Sequence, residues 1–202
     1  MLEAAGLECV RQQRVLFAGL GFALRNGESL RVAGPNGSGK TSLLRILCGL
    51  LLPSAGEVRW KGAPIRSLRE DYSRQIVYLG HAPAVKDELT AGENLEIACR
   101  LAGLPFSRQS ITDALTRFDL PSKEILVKRL SQGQRRRAAL ARLCLSEPAP
   151  LWLLDEPFTA LDAAGIELLK GLIAGHLGRG AMVVYSTHQD PGLPATQVLE
   201  LA

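Results

Sequence analysis

The sequence predicts an α/β fold: a mostly parallel sheet flanked by helices, with an antiparallel β part at the N-terminus and an inserted helical subdomain. Three observations predict it. Ser29–Ala33 alternates as a strand and passes through a glycine-rich loop, Gly34–Thr41, into the apolar helix Ser42–Leu50. Leu151–Leu154 and Ala181–Ser186 are apolar runs, the pattern of strands covered on both faces. Between the loop and the first of these runs, from about Lys86 to Glu147, the pattern changes to helices. One domain over 1–202 is expected, with 86–147 as the helical part inserted within it.

The elements follow in order. Val15–Phe17 and Leu20–Leu24 are short apolar strands, and Asn26-Gly27 signals a turn before Ser29. Gly49 and Pro53 end the helix after the loop, Glu57–Trp60 returns as a strand, Arg66–Ser73 reads as a short exposed helix, and Gln75–Leu79 is another strand. Thr90 with Glu93 forms a capping box opening a helix through Leu101. A second helix, Ser107–Phe118, ends near Pro121, and a third starts at Ser131–Gln134 and continues through Leu145. Asp162–Leu177 is helical, and Val198–Leu201 adds an edge strand.

Composition narrows the class. At 202 residues, 47% hydrophobic and 22% charged, the chain is globular rather than disordered. Its formal charge of +4 is mild, and no Lys/Arg tract is interleaved with aromatics, so no nucleic-acid partner is expected. Cys9, Cys48, Cys99 and Cys144 lie far apart with no Cys-x-x-Cys, the usage of buried thiols in a reducing compartment. The N-terminal stretch lacks the basic start and apolar run of a signal peptide. Leu43–Leu52 carries Arg45 and falls short of the ~20 apolar residues of a membrane span.

Gly34-Pro35-Asn36-Gly37-Ser38-Gly39-Lys40-Thr41, followed by Ser42, matches G-x-x-x-x-G-K-[ST], the phosphate-cradling loop of P-loop nucleotide hydrolases. Backbone N–H groups and a helix N-terminus make a concave site for anionic oxygens, and glycines let the backbone come close to phosphate. In such a loop Lys40 brings charge to the β- and γ-phosphates, and Thr41 offers a hydroxyl to Mg²⁺. Asp155-Glu156, at the tip of the apolar strand Leu151–Leu154, has the form of a Walker B segment. Asp155 would fix Mg²⁺ through water, and Glu156 would orient or deprotonate the attacking water.

Three further segments are candidates. Leu130-Ser131-Gln132-Gly133-Gln134 lies at a predicted helix N-terminus, where a serine hydroxyl, a glycine backbone and the helix dipole suit an anion. Taken alone, a plain helix cap explains it better. Thr159-Ala160-Leu161-Asp162 carries N-cap residues, and His188 follows a buried strand, a position that favours a phosphate role. Arg135-Arg136-Arg137 is the one dense charge run, and a solvated face is the preferred reading for it.

In this order the motifs resemble those of the ATP-binding subunits of ABC transporters, over nearly the whole chain. The resemblance implies ATP and Mg²⁺ as cofactors and self-association as a head-to-tail dimer with two ATP molecules sandwiched. Ser131, Gly133 and Gln134 would contact the γ-phosphate of ATP held by the other protomer, Asp162 would sit in the loop that crosses the interface, and His188 would be the switch histidine. About 90 residues separate Lys40 from Ser131, which leaves no room for the long coiled coil of chromosome-maintenance ATPases. Two positions depart from the general pattern. His81 stands where a glutamine usually reaches Mg²⁺ and couples to the membrane partner, and the position of the aromatic residue that usually stacks on adenine falls near Arg11. A guanidinium can stack on a base as well.

Both departures, with Val15–Leu20, Gly80–Pro83, Leu130–Arg137 and Leu151–Asp162, are similar to the ATPase subunits of bacterial cytochrome c maturation (heme exporter) systems. That resemblance implies a peripheral protein on the cytoplasmic face of the bacterial inner membrane, docked on integral membrane subunits. There, ATP hydrolysis would drive heme delivery to a periplasmic chaperone. The chain has no Cys-x-x-Cys-His and no His pair, so the partners would hold the heme. An ABC subunit with another cargo, and a non-transport ABC protein acting on ribosomes or DNA, stay open as alternatives.

Overall fold

A computed structural model describes residues 1–120 and 125–202. The apolar stretches at the N-terminus become one long antiparallel hairpin, β1 (Leu2–Arg11) and β2 (Arg14–Leu24). Its turn, Gln12-Gln13, has positive φ at both residues, 47° and 63°. That conformation matches the right-handed twist of the flanking strands. Arg11 and Arg14 face each other across the hairpin end, both exposed.

β3 (Ser29–Ala33) leads through the glycine loop into α1 (Lys40–Leu47). Leu43, Leu44, Ile46 and Leu47 form the buried face of α1, each worth about 1.5–3 kcal/mol of burial. β4 (Ala55–Trp60) pairs antiparallel with β1, and β5 (Ala63–Pro64) closes the first sheet in the order β2-β1-β4-β5. The expected exposed helix at 66–73 divides into α2 (Ile65–Leu68) and α3 (Glu70–Ser73). Arg69 breaks it at φ 42°, and Tyr72 is buried, donating its hydroxyl to Leu47 O at 2.6 Å.

β6 (Ile76–Leu79) precedes the helices α4 (Ala91–Leu101), α5 (Arg108–Arg117) and α6 (Gln132–Leu140). Each of the three opens on a capping box, Thr90 with Glu93, Ser107 with Ser110 and Ser131 with Gln134. α5 stops at Arg117 with Phe118 as its cap; Pro121, named as its stop signal, lies outside the described residues. α6 gives way to a 3₁₀ stretch, Ala141–Leu145, rather than running on as α-helix.

β7 (Leu151–Leu154), α7 (Ala163–Gly178), β8 (Met182–Thr187) and β9 (Gln197–Glu200) complete the chain. The second sheet has the order β6-β7-β8-β3-β9, with parallel pairing of β7 to β8, β8 to β3, and β3 to β9. All residues of β7 and β8 are buried, as expected for the apolar runs Leu151–Leu154 and Met182–Tyr185. The result is an α/β P-loop NTPase fold.

Contacts divide the chain into two compact units: Met1–Tyr78 with Ala149–Pro157 and Gly175–Ala202, and Leu79–Pro148 with Phe158–Ala174. The first carries both sheets' hydrophobic core, built on Leu2, Leu24, Val32, Leu44, Trp60 and Val184. The second holds α4, α5, α6 and most of α7.

Candidate active site

The register of the parallel strands gathers the site. Leu154 pairs with Tyr185, and Ala33 with Thr187, so β7, β3 and β8 end together. The segments that leave them, Asp155-Glu156, Gly34–Thr41 and His188, emerge at one edge, where ligands bind in open α/β sheets. All lie in the first unit.

The glycine loop is built for close approach. A Cβ on Gly34 would lie 2.3 Å from Leu201 O and 2.8 Å from Ser38 Oγ, and Gly34 has φ 142°. Gly39, at φ 101°, is the N-cap of α1 and provides no side-chain cap. The first amides of a helix have no intrahelical partner, so those of α1 are left to an anion. A Cβ on Gly39 would meet Leu16 Cβ at 3.1 Å, which places β2 against the loop. Ser38 Oγ is buried with no partner. These residues fit a nucleotide's phosphates. Lys40 is 6% exposed, and its ammonium donates to Gly34 O (2.8 Å) and Pro35 O (2.9 Å). Thr41 and Ser42 follow in the first turn of α1, both half-buried.

The acidic turn is held from β8. Asp155 is fully buried, and its Oδ1 accepts the Ser186 hydroxyl at 2.7 Å. The same Ser186 Oγ accepts the Glu156 amide at 2.9 Å. Glu156 has φ 49°, a left-handed conformation that costs a non-glycine residue about 1–3 kcal/mol and is typical of functional sites. Its carboxylate lies between two nitrogens: Lys40 Nζ is 3.6 Å from Oε1, and His188 Nδ1 is 3.0 Å from Oε2. Thus both oxygens of a buried carboxylate are oriented, an arrangement suited to a base that takes a proton from water. The sequence names Ser38 within the phosphate loop but does not single out Ser186. A polar residue ending the apolar run Met182–Tyr185 was the available signal for Ser186.

Arg11 is exposed at the hairpin tip of the first unit. In the second unit, Ser131 Oγ accepts the Gln134 amide (3.2 Å) while Gln134 Oε1 accepts the Ser131 amide (2.9 Å), so both residues cap α6. A Cβ on Gly133 would lie 3.1 Å from Ala160 O, so that backbone approach favours glycine. Asp162 is exposed; the Arg137 guanidinium, and then the Gly165 amide, hold its carboxyl below the usual range. His81 has an exposed side chain just after β6.

The arginine run does not form the solvated face expected for it. Arg136 is 4% exposed and bonded to two carbonyls, while Arg135 and Arg137 reach acidic side chains. Cations at a helix start oppose the dipole, and these are compensated by carbonyl and carboxylate oxygens instead of water.

The comparisons with known proteins agree with this site. The family described as ABC transporter matches residues 17–159. A cytochrome c biogenesis ATP-binding export protein CcmA of Dechloromonas aromatica is 54% identical over 100% of this chain and 98% of that protein. Its namesake from Nitrosomonas europaea is 52% identical over 94% of this chain and 89% of its own. Among solved structures, an ABC transporter ATP-binding protein from Pyrococcus furiosus superposes with a TM-score of 0.85 at 25% identity, covering 99% of this chain and 96% of that one. The chain belongs to the ABC transporter ATP-binding family, in the group of cytochrome c biogenesis ATP-binding export proteins.

Proposed function

We propose that this chain is the ATP-hydrolysing subunit of a membrane exporter in cytochrome c biogenesis, working on the cytoplasmic face of the bacterial inner membrane. The observation that carries the reading is the buried carboxylate of Glu156, oriented by Lys40 and His188 beside the glycine loop. Lys40, Gly34–Gly39 and the first amides of α1 bind the phosphates, and Arg11 stacks on the base. Mg²⁺ would be held by the Thr41 hydroxyl and the Asp155 carboxylate, and when bound it neutralises charge on the phosphate oxygens. Glu156 takes the proton of the attacking water, and His188 holds Glu156 and the γ-phosphate in place.

Ser131, Gly133, Gln134 and Asp162 act across a head-to-tail dimer, each protomer completing the other's site. The helical part at 86–147 presents the segment at Ser131, and His81's loop leads into it, within one ATPase domain. His81 serves at the position that couples the metal site to integral membrane subunits, which carry the heme. Among the described residues no helix is long and apolar enough to cross a membrane, and a docked subunit needs none. Gentle solubilisation of membranes with the tagged protein tests this. Cytochrome-maturation membrane subunits with a heme absorbance spectrum are expected to co-purify. Permease subunits of another type, without heme, would keep the ATPase and remove the cargo.

A further inference from the structure

The three arginines at the start of α6 each reach a different segment of the second unit. Arg135 Nη1 lies 2.9 Å from Asp87 Oδ1. Arg137 Nη2 lies 2.7 Å from both carboxylate oxygens of Asp162, a bidentate pair. Arg136 sends Nη1 to Gly80 O at 3.0 Å and His81 O at 3.2 Å, carbonyls more than 50 residues earlier in the chain. It is also the most buried of the three, at 4% exposure.

A guanidinium cannot shed its proton, and taking it out of water carries a large desolvation penalty. Here backbone oxygens of the loop that carries His81 offset part of that penalty, while the His81 side chain itself stays exposed. The bond therefore fixes the loop's backbone and leaves the imidazole available. The same helix begins at Ser131, whose hydroxyl and amide form its cap.

We propose that Arg136 is a positioning residue for ATP hydrolysis: through the Gly80 and His81 carbonyls it ties the His81 loop to the helix that opens at Ser131, so that the two move together. Arg137 does the same for Asp162. A nucleotide-dependent shift at Ser131–Gln134 is thereby passed to His81 and to the loop at Asp162. This inference rests on the proposed roles of Ser131 and His81 in the ATPase.

Hydrogen–deuterium exchange on the full chain reads the tie without any nucleotide. In Arg136→Gln the amides of 80–85 are expected to exchange about tenfold faster, with those of 34–47 unchanged. In the complex with its membrane subunits, kcat is expected to fall about tenfold with KM within about twofold, and Arg136→Lys to recover part of the loss. Losses from Arg136→Gln and His81→Ala are expected not to add, because one residue acts through the other. If Arg136→Gln does not fold, Arg136→Lys carries the same exchange comparison, since its ammonium sits on a shorter side chain and must reach the two carbonyls that Nη1 serves. Unchanged exchange at 80–85 in a folded variant overturns the proposal. So do additive losses with His81→Ala, or activity lost only in proportion to unfolded protein. Failure of the ATPase reading would show separately, as parent-like ATP binding by Lys40→Ala.

Discussion

His188 Nδ1 stands 3.0 Å from Glu156 Oε2, a contact between the end of β8 and the turn after β7. The histidine fixes one oxygen of the proposed base, so its loss should cost turnover more than binding. His188→Ala is expected to lower kcat about 10- to 100-fold, with ATP affinity changed less than about twofold. Steady-state kinetics with a nucleotide titration checks this; equal turnover would detach His188 from the chemistry.

Lys40 bonds the carbonyls of Gly34 and Pro35 and lies 3.6 Å from Glu156. Lys40→Ala removes the phosphate's cation and leaves the buried carboxylate without that partner. Nucleotide affinity is expected to fall at least about tenfold, read by titration of a fluorescent ATP analogue against a circular-dichroism control for folding.

Asp155 and Glu156 are not the only titratable groups buried near the sheet. His176 is fully buried and stacks on Trp152 with ring centroids 3.7 Å apart and planes 11° apart. Burial, and then the charge of Arg179, pushes its pKa down to about 4. An unfolded histidine titrates near 6.5, so between about pH 6.5 and 4 the unfolded chain binds a proton that the folded chain does not. This contribution to stability is complete above that window and is lost as pH falls through it, by about 2 kcal/mol at pH 5. Urea denaturation at pH 7 and pH 5 checks it: His176→Phe is expected to lose less stability than the parent between the two.

The glycine at the start of α6 has little room. With an ideal Cβ only 3.1 Å from Ala160 O, Gly133→Ala must push the helix start away from the segment that leads to Asp162. ATP binding by Lys40's loop is expected to persist while hydrolysis falls about tenfold. Light scattering with ATP present is expected to show less dimer than the parent; an unchanged dimer and rate would remove Gly133 from the interface.

The sequence carried the sheet and the phosphate loop because their signals are local. Ser29–Ala33 forms β3 as read, Thr90 and Glu93 form their capping box, and Leu151–Leu154 is buried throughout. Contacts between distant segments were not legible. Ser186 joins Asp155 to the Glu156 amide only because parallel pairing aligns β8 with β7. Arg136 reads as one more surface cation until Gly80 and His81 are brought to it by the fold. The hairpin turn at Gln12-Gln13 was likewise hidden, since glutamine is not a usual residue for positive φ.

The central claim is that Glu156 is the base for ATP hydrolysis. Glu156→Gln keeps the size of the side chain and removes its charge, so the most direct measurement is the ATPase rate of this variant beside its nucleotide binding and oligomeric state. The account predicts turnover at least about 100-fold below the parent, intact ATP binding, and a persistent ATP-bound dimer. Hydrolysis at the parent rate would contradict it.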